Sequence, residues 1–172
     1  LPTEKGSDDV NVQVFFQMND SLVAVGFEER GVQLLNLRTG LYLPLKNNLI
    51  NKILQEETGV KSLFYNNGWL WIGTAGKGIL ITNLKTGKTY LLNDKNILPN
   101  NMIYSIIQEK EGTVWASSNK GIFRLDYVQN EEKFAVKKIF PFTVADGLQS
   151  NEFNTGAYHR SLDGTLYFGG IK

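Results

Sequence analysis

The chain has no cysteine and a single histidine, His159, among its 172 residues. The first absence removes disulfides, thiol nucleophiles and cysteine-based zinc sites, without fixing a compartment. The second leaves no histidine pair for a metal, and nothing in the sequence places a nucleophile or carboxylate beside Tyr158-His159-Arg160. No sign of charge is in excess: 18 Lys and Arg face 17 Asp and Glu, a net +1. A nucleic-acid or anionic-membrane surface selects basic patches, so neither partner is expected. No apolar run reaches the ~18 residues of a membrane helix. The opening residues LPTEKGSDDV lack the apolar stretch of a secretory signal. No cofactor and no metal are expected.

What the chain does have is glycine (17) and aromatic residues (12%), set in short apolar runs between turn residues. Val10–Met18 alternates Val10, Val12, Val14 and Phe16 on one face, which is a strand pattern. Strands follow at Leu22–Gly26, Gly31–Leu37 and Leu41–Leu45, the last with Pro44, which suits an outermost strand. Residues 47–58 break the pattern. Ile50, Ile53 and Leu54 fall at helical spacing, so this insertion is either one short helix or an extended loop.

The unit then recurs. Leu22–Gly26 aligns with Trp69–Gly73, Gly31–Leu35 with Gly78–Thr82, and Thr39-Gly40 with Thr86-Gly87, each at an offset of 47 residues. A third copy spans Ile103–Phe140, with Trp115 in the place of Trp71. A fourth begins at Phe153, with Tyr167 in the place of Trp115, and has only two strands before Lys172. Four strands repeating at this period specify a β-propeller, in which four-stranded antiparallel blades pack face to face. The fold class is therefore all-β, a partial propeller of about three and a half blades. Their spans are roughly 10–46, 59–93, 102–140 and 153–172, the last incomplete. A single β-sandwich explains the strands but not the repeat. Three and a half blades do not close a ring, so the chain reads as part of a longer propeller or as one that closes by association.

Blade packing covers the strand faces, so Trp71, Trp115 and Tyr167 are expected in the core. Trp69, beside its hairpin turn, is expected to be partly exposed. Function is then left to loops. The turns between second and third strands share one end of the ring with the connections between blades. Arg30, Lys77 and Lys120 hold corresponding places in those turns and form a cationic series suited to carboxylate or sulfate groups. Ordinary solvated turn charge is the competing reading. Asn100, Asn151 and Asn154 of the connections can present amides to hydroxyls, although the match of Asn101 with Asn151 suits those two to bracing their loops. GTAGKG at Gly73–Gly78 joins two strands and lacks the helix of a phosphate loop.

These residues resemble a known family. IYSIIQEKEGTVWASSNKGIFRLD at Ile103–Asp126 and WLWIGTAGKGILI resemble the two-component regulator propeller repeat. DGLQSNEFNTGAYHRSLDGTLYFGG at Asp146–Gly170 is similar to the last blade of the periplasmic sensor region of Bacteroidetes hybrid two-component systems. The resemblance implies a periplasmic carbohydrate receptor made of two propellers and an immunoglobulin-like domain, as ectodomain of an inner-membrane sensor kinase. It further implies an oligosaccharide ligand, the rest of the propeller and the immunoglobulin-like domain as partners, and room for a homodimer. It implies no enzyme activity for this segment. A propeller-type polysaccharide lyase or glycosidase, using carboxylates such as Glu28, Glu29 and Glu152, and a protein–protein platform are the alternatives.

Overall fold

The computed structural model describes residues 11–45, 47–54 and 58–171, with the side chains of Pro44 and Asn48 excepted. Val10 and Lys172, which entered the sequence reading, lie outside the described residues, as do residues 46 and 55–57 within the spans read there. The first sheet has four strands, β1 (Val12–Asn19), β2 (Leu22–Phe27), β3 (Val32–Asn36) and β4 (Tyr42–Pro44). The second holds β5 (Val60–Asn66), β6 (Trp69–Thr74), β7 (Ile79–Asn83) and β8 (Thr89–Leu92). The third holds β9 (Ser105–Lys110), β10 (Thr113–Ser118), β11 (Gly121–Gln129) and β12 (Phe134–Phe142). The fourth is a hairpin of β13 (Phe153–Arg160) and β14 (Leu166–Gly170) alone. Every pairing is antiparallel between sequence neighbours. The first strands β1, β5, β9 and β13 lie side by side from sheet to sheet, so they are innermost and the later strands fan outward. This is an open propeller.

The insertion is a helix, α1 (Asn48–Leu54). Asn47 starts it by accepting hydrogen bonds from the Leu49 and Ile50 amides on Oδ1, as an N-cap residue does. The same side chain donates to the Gly87 carbonyl and Thr89 Oγ1, both at 2.8 Å, which ties the helix to the second sheet. Ile50 and Leu54 are buried against Ala24, Leu70 and Leu80.

Strand alternation sends successive side chains to opposite faces, and in the second sheet both faces are interiors. Trp69, Trp71, Ile79 and Ile81 pack towards the third sheet, with Phe123, Leu125, Tyr127 and Phe134. Leu70, Ile72, Leu80 and Leu63 pack towards the first, with Ala24 and Val32. Trp69 is fully buried, contrary to the expectation of partial exposure. The cause is the length of β11 and β12, nine residues each against five and four for β7 and β8. Their hairpin tip folds over the indole, whose Nε1 donates to the Asn130 carbonyl at 2.8 Å.

Trp115 and Tyr167 also depart from expectation, for one shared reason. Each faces the next blade. The fourth sheet has only two strands, so Trp115 is half-buried. Beyond Tyr167 no further sheet lies among the described residues, and it is 56% exposed.

The glycine of Trp-Ile-Gly is set by the next blade. A Cβ on Gly73 would lie 2.8 Å from Ile103 Cγ2 and would also strike Ser62 Oγ; one on Gly26 would lie 2.5 Å from Val60 Cγ1. Val60 and Ile103 precede or open the inner strand of the following sheet, so each locks onto a bare backbone in the sheet before it. Gly73→Ala is expected to lower unfolding stability by ~1–3 kcal/mol, as overpacking of a tight core does, measured by urea titration. Trp71→Ala is expected to cost ~3–5 kcal/mol, and Trp115→Ala clearly less in the same assay.

Candidate functional site

One end of the propeller carries the turns between second and third strands, and hydrogen bonds fasten the second and third of these turns to the connections that follow them. The turns share one design. Phe27 N donates to the Gly31 carbonyl at 2.9 Å and Thr74 N to the Gly78 carbonyl at 3.1 Å. In the second and third sheets a buried hydroxyl finishes the turn. Thr74 Oγ1 donates to the Gly78 carbonyl and accepts from Lys77 N; Ser118 Oγ donates to the Gly121 carbonyl and accepts from Lys120 N. Gly31, Gly78 and Gly121 all have positive φ, at 65°, 89° and 87°, which favours glycine. Arg30, Lys77 and Lys120 are thus the residues immediately before three equivalent glycines. Arg30 and Lys120 are exposed and Lys77 is half-buried.

The connections are braced by asparagine in the same manner twice. Asn101 accepts the Gly76 and Gly78 amides on its backbone oxygen and the Asp94 amide on Oδ1. Asn151 accepts the Gly121 amide on its backbone oxygen and the Val144 amide on Oδ1. Each side chain therefore reaches seven residues back and closes its own loop. In the second loop Thr143 caps a single 3-10 turn, Val144–Asp146, through a reciprocal pair with Asp146. Asn100 Oδ1 accepts from Met102 N at 2.8 Å, so it too serves its loop. Asn154 is exposed on β13. Of the six residues singled out from sequence, Asn100 and Asn151 brace their own loops through Oδ1.

Sequence reasoning missed a polar chain on the same end. Glu28 accepts from the amides of Asn11 at 2.6 Å and Gln13 at 3.3 Å, and Gln13 Oε1 accepts from Lys61 Nζ at 3.1 Å. Next to it in the ring, Tyr104 Oη donates to Asn119 Oδ1 at 2.7 Å. The rim is mixed in sign, with Glu28 engaged by amides and cations on every turn. No sequence signal marked Tyr104 or Gln13, because their partners lie 15 residues or more away. Among the described residues, no three His, Asp or Glu side chains converge as a metal would need. Asp163 lies in the β13–β14 turn, away from the rim. Hydrogen bonds from Ser161 first, then Thr165, hold its carboxyl below the usual value.

Comparison with known proteins is consistent with this architecture. The model of the two-component regulator propeller matches residues 97–120. The matched residues cover the Asn101 connection, β9 and β10. The propeller is also similar to the extracellular domains of two putative hybrid two-component systems of B. thetaiotaomicron. With BT4673 the identity is 18% and the TM-score 0.69, over 98% of this chain and 21% of that one. With BT3049 they are 16% and 0.63, over 95% and 27%. The chain thus spans about a quarter or less of those ectodomains. A computationally designed protein, Ika4, is similar over 98% of this chain and 95% of its own, at 15% identity and a TM-score of 0.59. No curated protein matches the chain.

The bracing role is directly testable. Asn101→Ala is expected to lose ~1 kcal/mol or more of stability, the scale of a lost backbone-to-side-chain hydrogen bond, and to speed amide exchange at Asp94. Asn154→Ala is expected to change neither.

Proposed function

We propose that this propeller segment belongs to the periplasmic ligand-sensing region of a hybrid two-component sensor. Its rim recognises an oligosaccharide, carboxylated or sulfated ones included, and the signal passes to a kinase outside this segment. The remaining blades, and an immunoglobulin-like domain of the same sensor, are its structural partners, and the ectodomain works as a homodimer. The segment performs no bond-breaking step of its own.

One observation carries the ligand part of this reading: a cation precedes the strand-opening glycine in three successive second turns, at the end where the connections close. Both faces of the second sheet are largely taken up by core packing, which favours the loops over the strand faces as the place of recognition. Charge-assisted hydrogen bonds from Arg and Lys suit carboxylate and sulfate oxygens, and neighbouring amides suit sugar hydroxyls. The sensor part is supported by the family repeat and by the two extracellular domains with the same fold.

The test uses the intact ectodomain with uronate-containing and sulfated oligosaccharides. Changing Arg30, Lys77 and Lys120 together to Ala is expected to leave the fold intact, because charges on surface turns, exposed at Arg30 and Lys120 and half-buried at Lys77, each contribute only ~0–1 kcal/mol. It is expected to weaken acidic-glycan binding about tenfold or more, and to flatten its salt dependence. Unchanged affinity in a folded triple variant would place the ligand elsewhere.

A further inference from the structure

In each of the first two sheets the innermost strand carries an extra residue at the same place. Val12 faces Phe27 and Val14 faces Gly26, which leaves Gln13 as the extra residue of a β-bulge. Val60 faces Thr74 and Ser62 faces Gly73, which leaves Lys61. In the third sheet Tyr104 takes the corresponding position: its amide donates to the Ser117 carbonyl at 2.9 Å, although Ser105 already faces Ser117. In the fourth the insertion is longer. Phe153 faces Gly170 and Ala157 lies against Gly169, with Asn154, Thr155 and Gly156 between them and a φ of 73° at Gly156. A bulge interrupts the ladder, bends its strand and re-aims a side chain, and bulges recur beside functional sites. These residues are not core. Gln13, Lys61 and Tyr104 are half-buried and Asn154 is exposed, whereas Val60, Ser62, Ile103 and Ser105 beside them are buried.

The bulged side chains gather where the first strands converge. Lys61 Nζ donates to Gln13 Oε1 at 3.1 Å across the first seam, and Gln13 Nε2 donates to Glu28, just beyond β2. Tyr104 Oη donates to Asn119, again in the turn after a second strand. Asn154 adjoins Glu152, whose carbonyl accepts the Ile171 amide as the Gly59 carbonyl accepts that of Ala75. All four therefore lie at the end that carries Arg30, Lys77 and Lys120, but on the innermost strands. We infer that this inner circle seats one uncharged sugar ring, the end unit of an oligosaccharide whose acidic groups reach the outer cations. The inference deepens the proposed rim reading and rests on it. Chemistry separates the two circles. The inner one offers two amides, an amine and a phenol, and its cation Lys61 shares Gln13 with the Glu28 carboxylate. Such a set donates and accepts in several directions, which matches hydroxyl groups that do both. Tyr104 adds an aromatic surface for the C–H face of the ring, and aromatic anchors carry much of the energy of a desolvated site. The bulges bring these groups to one place, because residues of an uninterrupted ladder alternate towards the neighbouring blades.

The test is an array of uncharged, uronate-containing and sulfated oligosaccharides on the intact ectodomain, with each variant measured against the member that binds most tightly. Tyr104→Ala is expected to weaken that binding about tenfold or more, and Tyr104→Phe, which keeps the ring, less than about threefold. Lys61→Met and Asn154→Ala are each expected to weaken it about fivefold, and Asn154 is exposed, so its variant reports on binding in an unaltered fold. The losses at Tyr104 and Asn154 are expected to be the same at low and high salt, whereas the loss in the triple Arg30, Lys77 and Lys120 variant shrinks as salt screens it. Binding unchanged in Tyr104→Ala and Asn154→Ala but weakened in the triple variant overturns the inner seat and leaves the rim reading standing. Binding unchanged in all of these variants overturns both, and so does an array on which no member binds.

Discussion

The fold depends on one constraint: a blade that lies between two others must bury opposite faces against two different neighbours. In β6, Trp69 and Trp71 go one way and Leu70 and Ile72 the other, and all four are fully buried. Burying an aromatic side chain contributes a few kcal/mol through area alone, and rings at the separations found around Trp71 and Phe134 add roughly 0.5–1.5 kcal/mol per pair. The constraint explains the bare glycines as well. Gly26 and Gly73 give way to Val60 and Ile103, so the chain is pinned to the previous blade as it enters the next.

With the faces of the second sheet consumed by packing, the turns and connections gather at the two ends, and the two ends differ. At one, the Trp69 indole and the Asn83 amide donate to the Asn130 and Glu131 carbonyls, so the long hairpin of the third sheet seals the second. At the other, Asn101 and Asn151 fix the backbone of two connections and hold the glycines that follow Lys77 and Lys120. In the proposed reading, cations held on braced turns would bind a charged ligand with little ordering cost.

Much of this was legible in the sequence, because the repeat is written in residues with unambiguous physics. Glycines at a fixed offset marked third-strand starts, and the Trp-Leu-Trp-Ile run showed that both faces of a strand are buried. The asparagine match between Asn101 and Asn151 forecast their bracing role. What was not legible came from elements that break the repeat. Trp69 is buried by a hairpin that is longer than its counterparts. Asn36, Asn83 and Asn130 each close a turn after the third strand through Oδ1, a recurrence hidden because asparagine is common in all turns. The polar chain from Lys61 through Gln13 and Glu28 to Asn11 joins residues of two blades, and no local pattern announces a contact of that kind.

Recognition of a saccharide by the rim is most directly tested by mapping a bound acidic oligosaccharide on the intact ectodomain through ligand-dependent amide exchange. Slowed exchange confined to residues 28–31, 75–78, 118–121 and the two connections, with the strands unchanged, is the predicted result. Protection confined to other parts of the ectodomain, with these turns unaffected at saturating ligand, would contradict it.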